Sequence, residues 1–318
     1  MPIICDALHR RFKGGIFTLA ENTKIRDYIN LTSYHAAEYT GKGVKVCVLE
    51  NPTTHNQKAV NCLREAGPDA ELIWVSPSYA NDKEMNAIFP AILATGAQIL
   101  TMSLNMTPLT PDQTKALLDS GMTLLMSAGN NDNKGLSVPA RDNNWLSVGA
   151  LNMPFDKPVL EDYSARGPEL DTVSFIPWIN YGYIQSPNGT SFSCPFFAGV
   201  LACYFQYFKE IYGRFPSQPE VVELIKTHSK DLEVPGFDNR TAYGVLILPD
   251  MEVKQMTTEI VMDVSVQMIN DRIMVPVRFV AEAFGGIVKW NEDTQTATFI
   301  VNGKTVDATL GSKVLKVM

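Results

Sequence analysis

Residues 189–202 read Gly-Thr-Ser-Phe-Ser-Cys-Pro-Phe-Phe-Ala-Gly-Val-Leu-Ala. The part after Pro195 is apolar on every side, which is typical of a helix buried in the core of a large domain. Proline is favoured in the first turn of a helix, so we expect Pro195 in that turn. Ser191 then lies at the N-terminal end of the helix, where backbone N–H groups and the helix dipole favour developing negative charge. The segment alone predicts either a nucleophilic serine or a simple cap on a core helix.

Upstream of this segment, short apolar stretches alternate with helical ones. Thr110, Pro111 and Gln113 form the signature of a helix start, with a cap, a proline at the first position and a capping-box residue. Strands alternating with helices at this spacing predict an α/β fold with a doubly wound, mostly parallel sheet. The predicted strands are 44–49, 71–75, 98–104 and 123–127, and the predicted helices are 55–66, 83–95 and 111–120.

Several segments together resemble the subtilisin-like serine proteases (subtilases). They are residues 39–49, 101–104, 127–130, 138–150, 163–171, 189–195 and 243–246. The segments follow one another in the order of that family over roughly residues 36–250. Such an ordered series of matches is stronger support for the resemblance than a single short motif. The resemblance implies a peptide hydrolase with a polypeptide substrate.

The resemblance also implies a role for individual residues. Ser191 matches the nucleophile, and Asn130 matches the asparagine that binds the oxyanion together with the Ser191 N–H group. His55 matches the general base, since it opens the helix that follows the first strand. Glu50 stands at the end of that strand, where the family has the aspartate that orients the histidine.

The chain departs from the family around this third position. Glutamate is one methylene longer than aspartate, although it can still stabilise an imidazolium. Only four residues separate Glu50 from His55, but five chain steps span up to about 17 Å, so the pairing is feasible. In the alternative interpretation Glu50 only ends a strand, and the fold is catalytically silent and serves as a structural or interaction component.

The family's substrate-lining strands have counterparts as well. We expect Ser103, Leu104, Asn105, Ser127, Ala128 and Gly129 to border the substrate and to offer backbone groups to an extended peptide. Leu104 is equally consistent with ordinary core packing. The helix that begins at His55 runs directly into Gly67-Pro68, without the calcium-binding loop common in the family. We therefore expect no metal ion and no cofactor.

The last sixty residues have a different pattern. Apolar residues alternate with polar ones over 260–268, residues 277–284 suit a short helix, and Asn302-Gly303 is a strong hairpin signal. Residues 273–291 resemble the small module named after the N-terminal domain of copper amine oxidases, which implies an accessory or attachment domain. No histidine follows His228, so copper ligation by imidazole is excluded in this part of the chain.

Composition sets the remaining limits. The 318 residues carry 27 basic and 34 acidic side chains, a net charge of −7, which argues against a nucleic-acid partner. Five cysteines without a CxxC pair do not form a disulfide framework. We find no signal peptide and no membrane span, and expect a cytoplasmic protein, with carriage in a phage particle as one route outward. The expected divisions are an N-terminal extension 1–35, a catalytic domain 36–250 and an accessory domain 257–318.

Overall fold

The computed structural model describes residues 20–50, 53–76, 82–104, 109–180, 184–185, 187–251, 267–269, 272–274, 286–301, 304–310 and 315–317. The chain divides into two compact units, Met1–Glu252 and Val253–Met318. The first unit combines α-helices with a large mixed sheet, and the second contains small antiparallel sheets.

The helices and strands of the first unit alternate along much of its length. The helices are α1 (Ala20–Tyr28), α2 (Leu31–Ala36), α3 (Thr54–Ala66), α4 (Asp82–Ala94), α5 (Pro111–Asp119), α6 (Thr190–Tyr212) and α7 (Gln218–His228). The strands are β1 (Lys45–Leu49), β2 (Glu71–Val75), β3 (Ile99–Met102), β4 (Thr123–Ser127), β5 (Leu146–Asn152), β6 (Val159–Leu160), β7 (Thr172–Phe175), β8 (Ile179–Asn180), β9 (Ile184–Gln185), β10 (Ser229–Lys230) and β11 (Val245–Leu246).

Most local predictions agree with these bounds. Strands β2 and β4 have the predicted limits, and the capping box at the start of α5 is confirmed, because Thr110 accepts from the Gln113 N–H and Gln113 accepts from the Thr110 N–H. Strand β3 is shorter than predicted and ends at Met102. The next residue, Ser103, leaves the sheet and bonds to the helix that carries Ser191.

Within the described residues the main sheet has the strand order β10-β11-β7-β5-β4-β3-β1-β2, with β6 paired to β5. The pairs among the central strands β2, β1, β3, β4, β5 and β7 are all parallel, as the prediction of a mostly parallel sheet requires. The chain passes from β1 outward to β2 and then crosses back to β3 on the other side of β1. Ligands bind in such sheets at the carboxyl ends of the strands beside this reversal of direction.

Helix α6 is the central element of the core. It packs against α3 and across β3, β4, β5 and β7, and most of its side chains are buried. The prediction that Pro195 lies in the first turn is wrong, because the helix begins at Thr190 and the proline falls in the second turn. Proline has no N–H group, so Pro195 cannot bond to the carbonyl of Ser191, four residues earlier.

Helices α3 and α6 cross in very close contact. A Cβ atom placed on Gly199 would overlap the carbonyl oxygen of Leu63 and would lie 2.9 Å from both Ala66 Cβ and Gly67 N. Only glycine allows two helix backbones to approach so closely. This contact sets the spacing between the helix that begins with His55 and the helix that begins with Ser191.

The residues before the predicted catalytic segment also join the core. Helices α1 and α2 bury Ile25, Leu31 and Tyr34, and the Asn22 side chain exchanges two hydrogen bonds with the backbone of Trp178. Residues 20–36 therefore pack as part of the first unit.

The second unit contains a sheet of β14 (Ile287–Asn291), β15 (Thr296–Val301), β16 (Lys304–Thr309) and β17 (Leu315–Val317), and a hairpin of β12 (Gln267–Ile269) and β13 (Arg272–Met274). All pairs are antiparallel. Val301 pairs with Lys304, which confirms the hairpin predicted from Asn302-Gly303. The predicted helix 277–284 lies outside the described residues.

Candidate active site

Glu50 and His55 meet at the carboxyl end of β1, beside the reversal of strand direction. Glu50 directly follows the strand, and its side chain is only 4% exposed. Its backbone is held by the β2 side of the sheet, since its N–H donates to Val75 and its carbonyl accepts from the Trp74 indole. His55 is the second residue of α3, and its Nδ1 lies 3.7 Å from Glu50 Oε1. The arrangement presents a carboxylate to one imidazole nitrogen and leaves Nε2 for another partner.

Ser191 is the second residue of α6, and its neighbour in the chain packs against His55. The ring of Phe192, the next residue, is 4.9 Å from the His55 ring, centroid to centroid. In the described part of the chain no hydrogen bond joins the Ser191 hydroxyl to His55. Catalytic hydrogen bonds are often long without substrate and shorten in the Michaelis complex. The structure thus places the two side chains at neighbouring helix starts.

The backbone of Ser191 is anchored to β3 by a side chain. Ser103 Oγ donates to the Ser191 carbonyl oxygen over 3.0 Å. Pro195 has no N–H group, so this carbonyl lacks its usual hydrogen bond within the helix. The Ser103 hydroxyl supplies the missing donor. Ser191 is therefore tied to the residue that follows β3.

Asn130 is held by Thr190. The amide oxygen Oδ1 of Asn130 accepts from the Thr190 N–H over 2.9 Å and from the Thr190 hydroxyl over 3.2 Å. Thr190 Oγ1 in turn accepts from the Gly129 N–H. With its oxygen fixed, Asn130 has its Nδ2 donor on the side of Gly189, whose Cβ position would be 3.5 Å from that nitrogen. Gly189 has φ 129°, which a residue with a side chain rarely adopts.

Tyr163 supports the same loop from the other side. Its hydroxyl oxygen accepts from the Gly189 N–H over 3.0 Å. Burial raises the pKa of Tyr163 to about 12, so the phenol stays protonated at neutral pH. Asn130 and Tyr163 together position the backbone that leads into Ser191.

The predicted substrate-lining residues have different environments. Leu104 is buried in the apolar core, and Asn105 lies outside the described residues. The N–H groups of Ala128 and Gly129 bond to Val148 and Thr190, so neither is a free donor. We therefore expect residues 127–129 to contact a peptide through their carbonyl oxygens and by packing, and not through the N–H groups of Ala128 and Gly129.

The sulfur and metal chemistry of this region is limited. Burial raises the pKa of Cys194 to about 12, so this thiol within α6 is not a thiolate at neutral pH. Among the residues with described positions, no group of three or more His, Cys, Asp or Glu side chains is arranged to hold a metal ion.

No described helix has the length and apolar character needed to cross a membrane.

Comparison with known proteins identifies the family of the chain. The model of the subtilase family matches residues 56–244, more than half of the chain, and we conclude that the chain belongs to the subtilase family of serine proteases. The matched region contains Asn130 and Ser191 and begins one residue after His55. None of the curated proteins matches the chain.

Solved structures share the fold at low sequence identity. A lanthipeptide protease is 15% identical with a TM-score of 0.56, over 73% of this chain and 95% of that chain. The PatG macrocyclase in complex with peptide is 14% identical with a TM-score of 0.55, over 70% and 94%. Fervidolysin from Fervidobacterium pennivorans, described as a keratinolytic enzyme related to subtilisin, is 16% identical with a TM-score of 0.54, over 72% and 44%.

The second unit matches another family model, the copper amine oxidase N-terminal domain, over residues 255–318. This stretch contains neither histidine nor cysteine. Copper(II) sites in proteins use imidazole and thiolate ligands, and this stretch has neither. Its soft ligands are methionine thioethers, which suit Cu(I) rather than Cu(II).

Sequence reasoning missed three contributors to the site. Thr190 clamps Asn130, Tyr163 holds Gly189, and the Ser103 side chain supports Ser191. Thr190 and Tyr163 stand inside segments that the resemblance had singled out, but their partners are distant in the chain. The role of the Ser103 hydroxyl depends on where Pro195 falls in α6, which the sequence pattern had placed one turn too early.

Proposed function

We propose that this chain is an active serine endopeptidase that cleaves polypeptides through an acyl-enzyme on Ser191. The observation that carries the proposal is the clamp on Asn130, whose oxygen is bound twice by Thr190 so that its N–H₂ group remains as a donor beside the start of α6. A donor fixed before substrate arrives stabilises the oxyanion without reorganisation in the transition state.

The chemistry follows from the order of the side chains. His55 Nε2 accepts the Ser191 hydroxyl proton while Oγ attacks the peptide carbonyl carbon. Asn130 Nδ2 and the Ser191 N–H donate to the resulting oxyanion. His55 then passes the proton to the leaving amine, and water releases the acyl group by the same steps in reverse. Glu50 faces Nδ1, holds the tautomer with Nε2 free and stabilises the imidazolium.

The substrate is a polypeptide lying along the segments that follow β3 and β4. We place Ser103 on one side of it and Ser127, Ala128 and Gly129 on the other. The peptide-bound macrocyclase among the structural neighbours supports a peptide in this fold. Residues 257–318 are proposed as an attachment module, so a chain ending at Glu252 is expected to keep its peptidase activity.

Labelling with a fluorophosphonate tests the nucleophile. The folded wild type is expected to react, and Ser191→Ala is expected to lose all labelling. Ser193→Ala is the matched control, because it removes a hydroxyl two residues away in α6 that donates to Thr190 O. His55→Ala is expected to abolish both labelling and turnover. A folded wild type that neither labels nor cleaves would instead favour the silent structural role.

The role of Glu50 as the third member of the catalytic triad is tested by two substitutions. Glu50→Gln removes the charge that faces the imidazolium, and we expect turnover to fall by about 10⁴. Glu50→Asp withdraws the carboxylate by about 1.5 Å, one C–C bond, from a nitrogen that is already 3.7 Å away. We therefore expect aspartate to behave like glutamine here. Wild-type turnover in both variants would remove Glu50 from the mechanism.

A further inference from the structure

A basic cleft lies in the first unit close to the loop that carries Asn130. Its volume is about 490 Å³, and its walls include Lys134, Arg141, Arg166 and Arg240. Glu169 is the one carboxylate among the lining residues of the cleft as described. The whole chain has a net charge of −7, whereas these four cations outnumber Glu169 and the two carboxylates that pair with them, so the cleft keeps a small net positive charge.

Two of these cations have acidic partners and two do not. Arg166 Nη1 pairs with Asp132 at 2.9 Å, and Arg240 Nε pairs with Glu233 at 2.6 Å. Lys134 and Arg141 make no ion pair with any described carboxylate. Arg141 donates from Nε to the Leu136 carbonyl, which fixes the side chain without neutralising its charge.

Arg166 gives the cleft a rigid wall. Its side chain is only 10% exposed, and its Nε is buried without a hydrogen-bond partner among the described residues. Its other nitrogens donate to Asn133 and to the Asp162 carbonyl. A buried guanidinium nitrogen that lacks an acceptor is costly, and an anion in the cleft can relieve that cost.

Two neighbouring chain segments connect the cleft to the candidate active site. Segments 129–132 and 163–166 run side by side, since Ala165 donates to Gly129 and Asp132 donates to Tyr163. Lys134 follows Asn130 by four residues, which places its backbone within about 14 Å of the oxyanion donor. An extended peptide advances about 3.3 Å per residue, so that distance corresponds to about four residues.

We propose that this cleft binds the carboxylate of an aspartate or glutamate within about four residues of the scissile bond. The inference rests on the proposed peptidase function and adds its substrate class, an acidic polypeptide. Lys134 and Arg141 supply the uncompensated charge, and Arg166 supplies donors already in position. Glu169 limits the cleft to one bound ligand carboxylate, because its own negative charge would repel a second anion.

Binding to an inactive protein tests the proposal without relying on turnover. The full-length Ser191→Ala protein is titrated with fluorescein-labelled octapeptides of alanine and leucine, with one aspartate moved along the peptide, and with the matching asparagine peptides. We expect at least one aspartate position to bind five- to twentyfold more tightly than its asparagine match. The preference should weaken as salt is raised from 0.05 to 0.5 M.

Charge-neutralising variants decide whether the cleft is responsible. Lys134→Gln combined with Arg141→Gln is expected to remove the preference and leave the asparagine peptides unchanged. Lys42→Gln is the control, because this exposed lysine precedes β1 and does not line the cleft. Melting curves confirm that each variant is folded.

The outcomes separate this inference from the proposed function. No preference at any position, or a preference that survives in the double variant, would overturn the cleft assignment. If the preference appears but the wild type cleaves no peptide and takes no fluorophosphonate, the peptidase proposal fails while the acidic-peptide site stands.

Discussion

Replacing Gly199 by alanine would test whether the crossing of α3 and α6 sets the catalytic geometry. Leu63, in contact with Gly199, lies eight residues after His55, and Gly199 lies eight residues after Ser191. At 1.5 Å per residue, His55 and Ser191, the two residues proposed as catalytic, are each about 12 Å from the same crossing point. Any separation of the two helices there is therefore transmitted to both side chains.

The size of the disturbance follows from the contacts. The added Cβ would lie 2.9 Å from Ala66 Cβ and Gly67 N and would overlap the Leu63 carbonyl oxygen. Carbon atoms prefer to lie about 3.5–4.0 Å apart, so the helices must separate by at least about 0.6 Å. Overpacking of this kind costs about 1–3 kcal/mol of unfolding free energy. A misplacement of 1 Å in an active site can lower the rate 10²-fold, so we expect kcat/KM to fall about tenfold or more.

The assay compares thermal unfolding with kcat/KM per active site, titrated by fluorophosphonate so that only competent molecules count. Gly96→Ala is the matched control. Gly96 has φ 58° and nothing within 4 Å of its Cβ position, so alanine there costs about 1–2 kcal/mol of backbone strain without moving α3 or α6. We expect the control to melt earlier with unchanged kcat/KM. The reasoning is refuted if Gly199→Ala also keeps the wild-type kcat/KM, whatever its melting temperature.

Three further predictions concern single side chains. Asn130→Ala is expected to lower kcat by about 10²–10³ with little change in KM. Asn130→Asp keeps the acceptor for Thr190 but loses the N–H donor, so its kcat should be no higher than that of the alanine variant. An active aspartate variant would mean that Asn130 has a structural role and does not bind the oxyanion. Ser103→Ala removes the partner of the Ser191 carbonyl, worth about 0.5–1.5 kcal/mol, and should lower kcat about two- to tenfold at constant KM, with recovery in Ser103→Thr. Burial lowers the pKa of His35, whose Nε2 bonds to the Ala66 carbonyl, so protonation favours the unfolded chain. The unfolding free energy should therefore fall as pH drops below about 6.5, by at most about 1.4 kcal/mol per pH unit. Chemical denaturation from pH 7.5 to 5.5 should show a shallower dependence of the unfolding free energy on pH in His35→Gln than in the wild type. Equal slopes in the two proteins would contradict this.

Much of the fold could be predicted from local sequence. The alternation of apolar strands with helices predicts the parallel sheet, since both patterns are written in consecutive residues. The capping box at Thr110 and the hairpin at Asn302-Gly303 depend on four or fewer neighbouring positions, and both agree with the structure. The misplacement of Pro195 has a local cause too. Proline suits a first turn in isolation, but the buried start of α6 lies one turn earlier, at Thr190.

The details of the candidate site depend on contacts that no local pattern contains. Ser103 meets Ser191 across 88 positions, Asn130 meets Thr190 across 60, and Tyr163 meets Gly189 across 26. The basic cleft likewise joins residues from 134 to 240. The sequence by itself determined the elements, the family and which side chains are chemically suited to catalysis. Only the tertiary structure decided which of them meet, because strand order and the close crossing of α3 and α6 bring distant segments within hydrogen-bond distance.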